Sequence, residues 1–323
     1  MTADAPLVRS DVAGTPAGAA GLYEGVAERA VLVERAGPPS SQWRLIRRRF
    51  MRHKLAVASL VVLIVLGALA LFAPLVAPYS VNPTLDASVL TGARHPPSAA
   101  HWFGTDKLGR DQLTRVLYAM RVSLLVGFGV AFISTTVGVV FGALAGFFRG
   151  WLDQILMRVT DLFLILPAVA VLLMLGTKYG NSVLGIIFVL CVLAWMPMAR
   201  VLRGEFLRLR EQEFVEAARA SGASGPRIML RHMLPNTVGP IVVFFTLTVG
   251  VAILTEAVLS FLGAGIQLPA VSLGNMINDA RDTVGTPLAY LIYFPGLVLF
   301  LIVLCVNFVG DGLRDALDPR AIR

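Results

Sequence analysis

The chain is 323 residues long, 56% hydrophobic and 15% charged, with a formal net charge of +8 and a mean hydropathy of +0.75. These proportions exclude an ordinary soluble domain. Several stretches reach the roughly 20 apolar residues needed to cross a bilayer, too many for a single anchor, which predicts an integral membrane protein.

Residues 1–42 are rich in Ala, Gly and Pro with scattered charges, the pattern of a disordered cytoplasmic tail. They hold no apolar run long enough for a signal peptide, so the chain is expected to insert uncleaved through its first span. From Trp43 the run W-R-L-I-R-R-R-F-M-R-H-K packs cations against the next apolar stretch. That predicts a segment held on the cytoplasmic face, with nucleic-acid binding the weaker reading. Span one is predicted over residues 55–77, with Pro74 and Pro78 at its outer end.

Residues 79–120 are polar and are expected outside. They contain F-G-T-D-K-L-G-R-D-Q-L-T-R, in which Thr105 or Asp106 can cap a short amphipathic helix. Asp106, Arg110 and Asp111 are candidates for an outer gate or a docking surface; the competing reading is a cap held by weak exposed ion pairs among them and Lys107. Span two is predicted over residues 121–147, where Ser134, Gly138, Gly142 and Gly146 recur every four residues and form a face that seats a neighbouring helix. An inner loop over 148–158, span three over 159–176, an outer turn over 178–182 and span four over 183–201 follow. Asp161 reads as an interfacial carboxylate, and Cys191 and Cys305 fall within spans as small apolar residues.

Residues 201–220 carry strong helix formers, and Gly222 stands where a helix C-terminus places a residue with positive φ. Ser224 or Gly225 can cap a second short helix, with Pro226 at its first position and Pro235 ending it. The segment reads E-A-A-R-A-S-G-A-S-G-P-R-I-M-L-R-H-M-L-P-N. Glu216-Ala217-Ala218, then Arg219, Gly222 and His232-Met233-Leu234-Pro235, at this spacing, resemble the EAA loop of permease subunits of ATP-binding-cassette importers. The wider family usually has Ile where His232 stands, and a His there is similar to the peptide and nickel branch. Residues 103–115, 273–281 and the C-terminus resemble the same branch. The resemblance implies that the loop sits in a groove of a separate ATPase subunit, that Glu216 pairs with a basic residue there, and that Gly222 sets the bend. On the residues alone, the alternative is a surface helix in which Glu216 pairs with Arg219 or Arg210.

Span five is predicted over residues 237–262. It carries Glu256, about 30 Å along the helix at about 1.5 Å per residue, which places this carboxylate near the outer interface within reach of water, as an outer-gate or loop contact. Ser272 is expected to cap a short helix, and span six to cover residues 288–309. With both termini inside, 21 of the 28 Lys and Arg fall on the inner side and 7 on the outer, as the positive-inside rule requires.

Lys54, Lys107 and Lys178 are followed by Leu, Leu and Tyr, so no Gly-Lys-Ser/Thr phosphate loop is encoded. The four histidines lie outside the spans, and no cluster suggests metal. An ion-coupled carrier or stand-alone channel is the alternative class, but no ionisable residue falls at the centre of a predicted span. The expected molecule is an all-α membrane protein of six transmembrane helices, with the type I importer permease fold and both termini cytoplasmic. Its expected parts are a tail (1–42), a first span with an extracytoplasmic segment (43–120), a core of five helices (121–310) with the coupling loop at 203–236, and a tail (311–323). The resemblance implies a second permease, two ATPase subunits that carry ATP and Mg, an extracytoplasmic binding protein and a bacterial inner membrane. It implies no cofactor on this chain and no nucleic acid. Peptides are the expected substrate, with nickel or glutathione as alternatives.

Overall fold

The structure, a computed structural model, describes residues 42–81 and 95–317; the expected tail over 1–42 lies, except for Gln42, outside them. The chain divides into two units, with the boundary between Arg48 and Arg49. Helix α1 (Gln42–Arg52) opens in the first, where Arg44, Arg47 and Arg48 are exposed. The second holds α2 (Lys54–Leu71), a single turn α3 (Ala73–Val76), α4 (Gln112–Phe148), α5 (Gly150–Ile165), α6 (Ala168–Tyr179), α7 (Val183–Ala194), α8 (Met196–Leu209), α9 (Glu213–Ala220), α10 (Val238–Phe261), α11 (Leu273–Asp279) and α12 (Tyr290–Leu317). Among the described residues the only β-type pairing is an isolated bridge between Thr105 and Asp111.

Helices α2, α4, α12 and the run Gly225–Phe261 that ends in α10 are long and apolar enough to cross a membrane. The bent pairs α5–α6 and α7–α8 bring the number to six if each is one span. The fold is therefore all-helical with up to six spans, as expected, but two of those spans are broken.

Helix α4 is the axis. Its 37 residues extend about 55 Å at about 1.5 Å per residue, well beyond the ~30 Å hydrocarbon of a bilayer. It starts at Gln112, nine residues before the expected Arg121, because Asp111 caps it by accepting the Thr114 N–H at 2.8 Å. Thr105 and Asp106, the expected caps, are engaged elsewhere. One face of α4 packs Val116, Leu117 and Met120 against α10, α11 and α12. Val126 and Val130 pack against α7 and α10, and Ala143 joins α8 and α9.

The small-residue stripe seats α8, as its spacing predicts. A Cβ on Gly138 would meet Met198 Cβ at 2.6 Å, one on Gly142 the Ala199 carbonyl at 2.5 Å, and one on Gly146 Phe206 Cβ at 2.6 Å. Only glycine permits this approach, and the gain is continuous van der Waals contact along about two turns.

Span three is not a straight rod, and residues 148–158 are not a loop. The chain turns at Arg149 (φ 55) and Gly150 (φ 62) and enters α5 at once. It then bends by 87° between α5 and α6. Leu166 is extended (ψ 139) as the residue before a proline, and Pro167 has no N–H to continue the ladder. Span four bends by 43° at Trp195, two residues before Pro197. At the far end α12 continues through the expected tail boundary to Leu317.

Candidate functional site

The residues 201–220 do not form one helix. Helix α8 ends at Leu209, Arg210 and Glu211 turn the chain, and α9 starts after the extended Gln212. Arg210 is taken up by packing: its guanidinium donates to the Phe147 carbonyl at 2.7 Å and so covers the end of α4, while Arg149 pairs with Glu211 at 2.9 Å. Burial, then the nearby Arg149 and Arg219, lowers the Arg210 guanidinium from the ordinary arginine value.

Helix α9 places Glu213 and Glu216 in its first turn and Arg219 in its last, each where the helix dipole favours it. Val215 is wholly buried among Phe206, Ile228 and Met233 and fixes the helix to the bundle. Glu216, Ala217 and Arg219 face outward, and Ala218 is half-buried. Among the described residues Glu216 makes no ion pair with Arg219 or Arg210; Arg210 is bonded to the Phe147 carbonyl instead.

The helix closes in a Schellman turn. Gly222 N–H donates to Arg219 O at 2.9 Å and Ala223 N–H to Ala218 O at 3.0 Å, with Gly222 at φ +77. Past the turn, Ser224 precedes a helical turn at Gly225–Arg227, which passes into a π-helical stretch Ile228–Met233 and a 3-10 turn Leu234–Thr237 before α10. Pro235 therefore does not end a helix, contrary to expectation. The wider stretch, in which Leu234 N–H reaches Met229 O, and the tighter turn after it accommodate the missing proline N–H, and the run continues. His232 is half-buried in the π stretch and Pro235 is exposed.

The second group of expected residues lies at the other end of α4. Asp106 is buried and saturated: Oδ1 accepts the Leu108 and Arg110 N–H groups at 2.9 Å, and Oδ2 accepts Arg110 Nε and Arg115 Nη1 at 2.6 Å. Asp111 takes the Thr114 N–H and pairs with His101 Nδ1 at 2.9 Å. Arg115 also reaches Asp279 of α11 at 3.4 Å. The competing reading of a cap held by its own ion pairs is met in the Asp106–Arg110 pair, but that pair is buried and joined by Arg115 instead of weak and exposed; among the described residues Lys107 has no ion pair in it and is exposed. His101 and Arg115 were not singled out by sequence, although Arg115 follows Asp111 by one helical turn.

Glu256 departs furthest from expectation. It is fully buried, not water-accessible. Its carboxyl accepts Ser260 Oγ at 2.7 Å and Ser123 Oγ of α4 at 3.3 Å, with Ser272 also bonded. Counting residues along α10 says how far along the helix it lies but not which neighbour it faces: α4 and the start of α11 close over it, and its bond to Ser272 is a contact with the segment expected outside. Ser272 caps α11 as expected, accepting the Asn275 N–H at 3.3 Å.

Comparison with known proteins adds the following. A family model described as "Binding-protein-dependent transport system inner membrane component" matches residues 138–323, and one described as "N-terminal TM domain of oligopeptide transport permease C" matches residues 41–97. The chain is 42% identical to the dipeptide transport system permease protein DppC of Bacillus subtilis over 85% of each chain. It is 42% identical to the oligopeptide transport system permease protein OppC of Mycobacterium tuberculosis over 87% of this chain and 95% of that one. It is 41% identical to the glutathione transport system permease protein GsiD of Escherichia coli over 86% and 90%. Among solved structures, an inward-facing MetNI methionine ABC transporter matches with a TM-score of 0.53 at 20% identity, over 64% of this chain and 97% of that one, a likeness of fold.

Proposed function

Because the chain belongs to the family of binding-protein-dependent transport system inner membrane components, we propose that it forms half of a membrane pathway for small peptides and is driven through the α9 loop by separate ATPase subunits. As a member of that family it is a multi-pass permease component of an importer, and its relatives are transport permeases rather than enzymes. The finer reading adds a second, similar permease, two ATPase subunits that bind ATP and Mg, an extracytoplasmic solute-binding protein and residence in a bacterial cytoplasmic membrane with both chain termini inside.

One observation carries the coupling role. Helix α9 is anchored by Val215 and closed by the Gly222 turn, yet it turns Glu216, Ala217 and Arg219 to solvent with no partner for Glu216 in the described chain. A carboxylate held this way on a fixed helix is complementary to a basic groove. The relatives named for dipeptides, oligopeptides and glutathione support peptide-like cargo, with the choice among these left to the binding protein. Co-expression with neighbouring transport genes tests the reading. ATP turnover by the assembled complex should rise with a binding protein loaded with peptide and not with one loaded with nickel; the reverse order would reassign the cargo.

A further inference from the structure

Helix α5 is too short to cross a bilayer. Its 16 residues extend about 24 Å against a hydrocarbon of ~30 Å, and it meets α6 at 87°. It also starts at a corner beyond the end of α4, beside the Arg149–Glu211 pair. These are the features of the interfacial half of a broken span, with α6 the half that enters the membrane.

Its outward face supports this. Trp151, Ile155, Leu162 and Ile165 are 73%, 52%, 65% and 78% exposed and follow one another at helical spacing, and Val159, Phe163 and Leu164 beside them are exposed as well. One position of that stripe is not apolar: Arg158 stands four residues before Leu162 and three after Ile155. Among the described residues Arg158 has no ion-pair partner, unlike its neighbours. Asp153 binds Arg203 through two bonds, at 2.5 and 2.7 Å, and Asp161 binds Arg200, both across to α8.

These five charged side chains line one cavity of about 590 Å³. It holds three guanidinium groups against two carboxylates, so one positive charge is uncompensated beside an apolar, tryptophan-bearing face. We propose that this cavity binds the headgroup of an anionic phospholipid. The phosphate is held by Arg158, with Arg200 and Arg203 behind it, and the acyl chains run along the stripe of Trp151, Ile155 and Leu162. A guanidinium fork matches phosphate oxygens, and the long arginine stem lies along the apolar surface while its head reaches the anion. The bound lipid braces α5, whose other face is clamped to α8, the helix that leads into the Gly222 loop.

The test uses the full-length protein in nanodiscs of phosphatidylcholine and phosphatidylglycerol, transferred to detergent, with retained lipid counted by native mass spectrometry. Phosphatidylglycerol should be retained in preference to phosphatidylcholine. Arg158→Gln should lower retention about fivefold, the equivalent of about 1 kcal/mol for one basic residue at an anionic surface. Arg158→Lys should keep most of it, and Arg281→Gln should change nothing. Equal retention of the two lipids by the unaltered protein would overturn the proposal even if Arg158→Gln does not fold, and so would a folded Arg158→Gln that retains phosphatidylglycerol normally. Displacement by millimolar inorganic phosphate would make this a free-anion site. Loss of the lipid on co-purification with a second permease, with pairing abolished in Arg158→Gln, would assign the face to a protein partner. Either result contradicts a lipid site.

Discussion

Ala223 donates its backbone N–H to the carbonyl of Ala218 at 3.0 Å, closing the bend around Gly222. A Cβ on Gly222 would meet nothing within 4 Å, so the position is demanding only through its φ of +77. Gly222→Val should therefore cost about 1–2 kcal/mol locally through backbone strain, and Gly222→Asn much less, because Asn tolerates the left-handed region. Hydrogen exchange of the 213–223 amides should rise in the valine variant and stay near the parent level in the asparagine variant.

The helix contact along the glycine stripe has the opposite character. Gly142 lies against the Ala199 carbonyl, and Gly67 has open space around it. Gly142→Val should destabilise by about 1–3 kcal/mol or more through overpacking, lowering the thermal midpoint in detergent. Gly67→Ala should lower neither that midpoint nor the yield.

Asp106 joins Arg110 and Arg115 inside the protein. Asp106→Asn leaves two buried guanidinium groups short of their carboxylate and should cost about 3–5 kcal/mol. Lys107→Gln, next in the chain but exposed, should cost nothing measurable. Paired thermal scans distinguish the two.

Much of this was legible in the chain because it rests on local rules. The spacing of Gly138, Gly142 and Gly146 exposes a packing face whatever the partner, and the positive φ at Gly222 follows from a helix ending at a glycine. The breaks at Pro167 and Trp195 were hidden because a proline within an apolar run leaves hydropathy unchanged while redirecting the helix. The burial of Glu256 was hidden because depth along α10 does not say which neighbour faces it; Ser123 and Ser272 come from distant parts of the chain. Asp106 was read as exposed since its partner Arg115 sits across a turn and a helix start.

Sidedness follows from the charge sorting alone and has its own measurement. With Cys191 and Cys305 replaced, Ser224→Cys should react with a membrane-impermeant thiol reagent only from the cytoplasmic side and Ser98→Cys only from outside. Both positions are exposed. Reaction of both from one side would end the six-span topology.

The coupling role of α9 is tested most directly by Glu216→Lys in the assembled complex. The helix keeps its Val215 anchor and its Gly222 turn, so the variant should insert and pair with the second permease normally. Reversing the charge turns an attractive contact into a repulsive one. ATP turnover stimulated by loaded binding protein should fall to the unstimulated level, or the ATPase subunits should fail to co-purify. Wild-type stimulation and wild-type uptake by Glu216→Lys, at equal expression, would contradict the account.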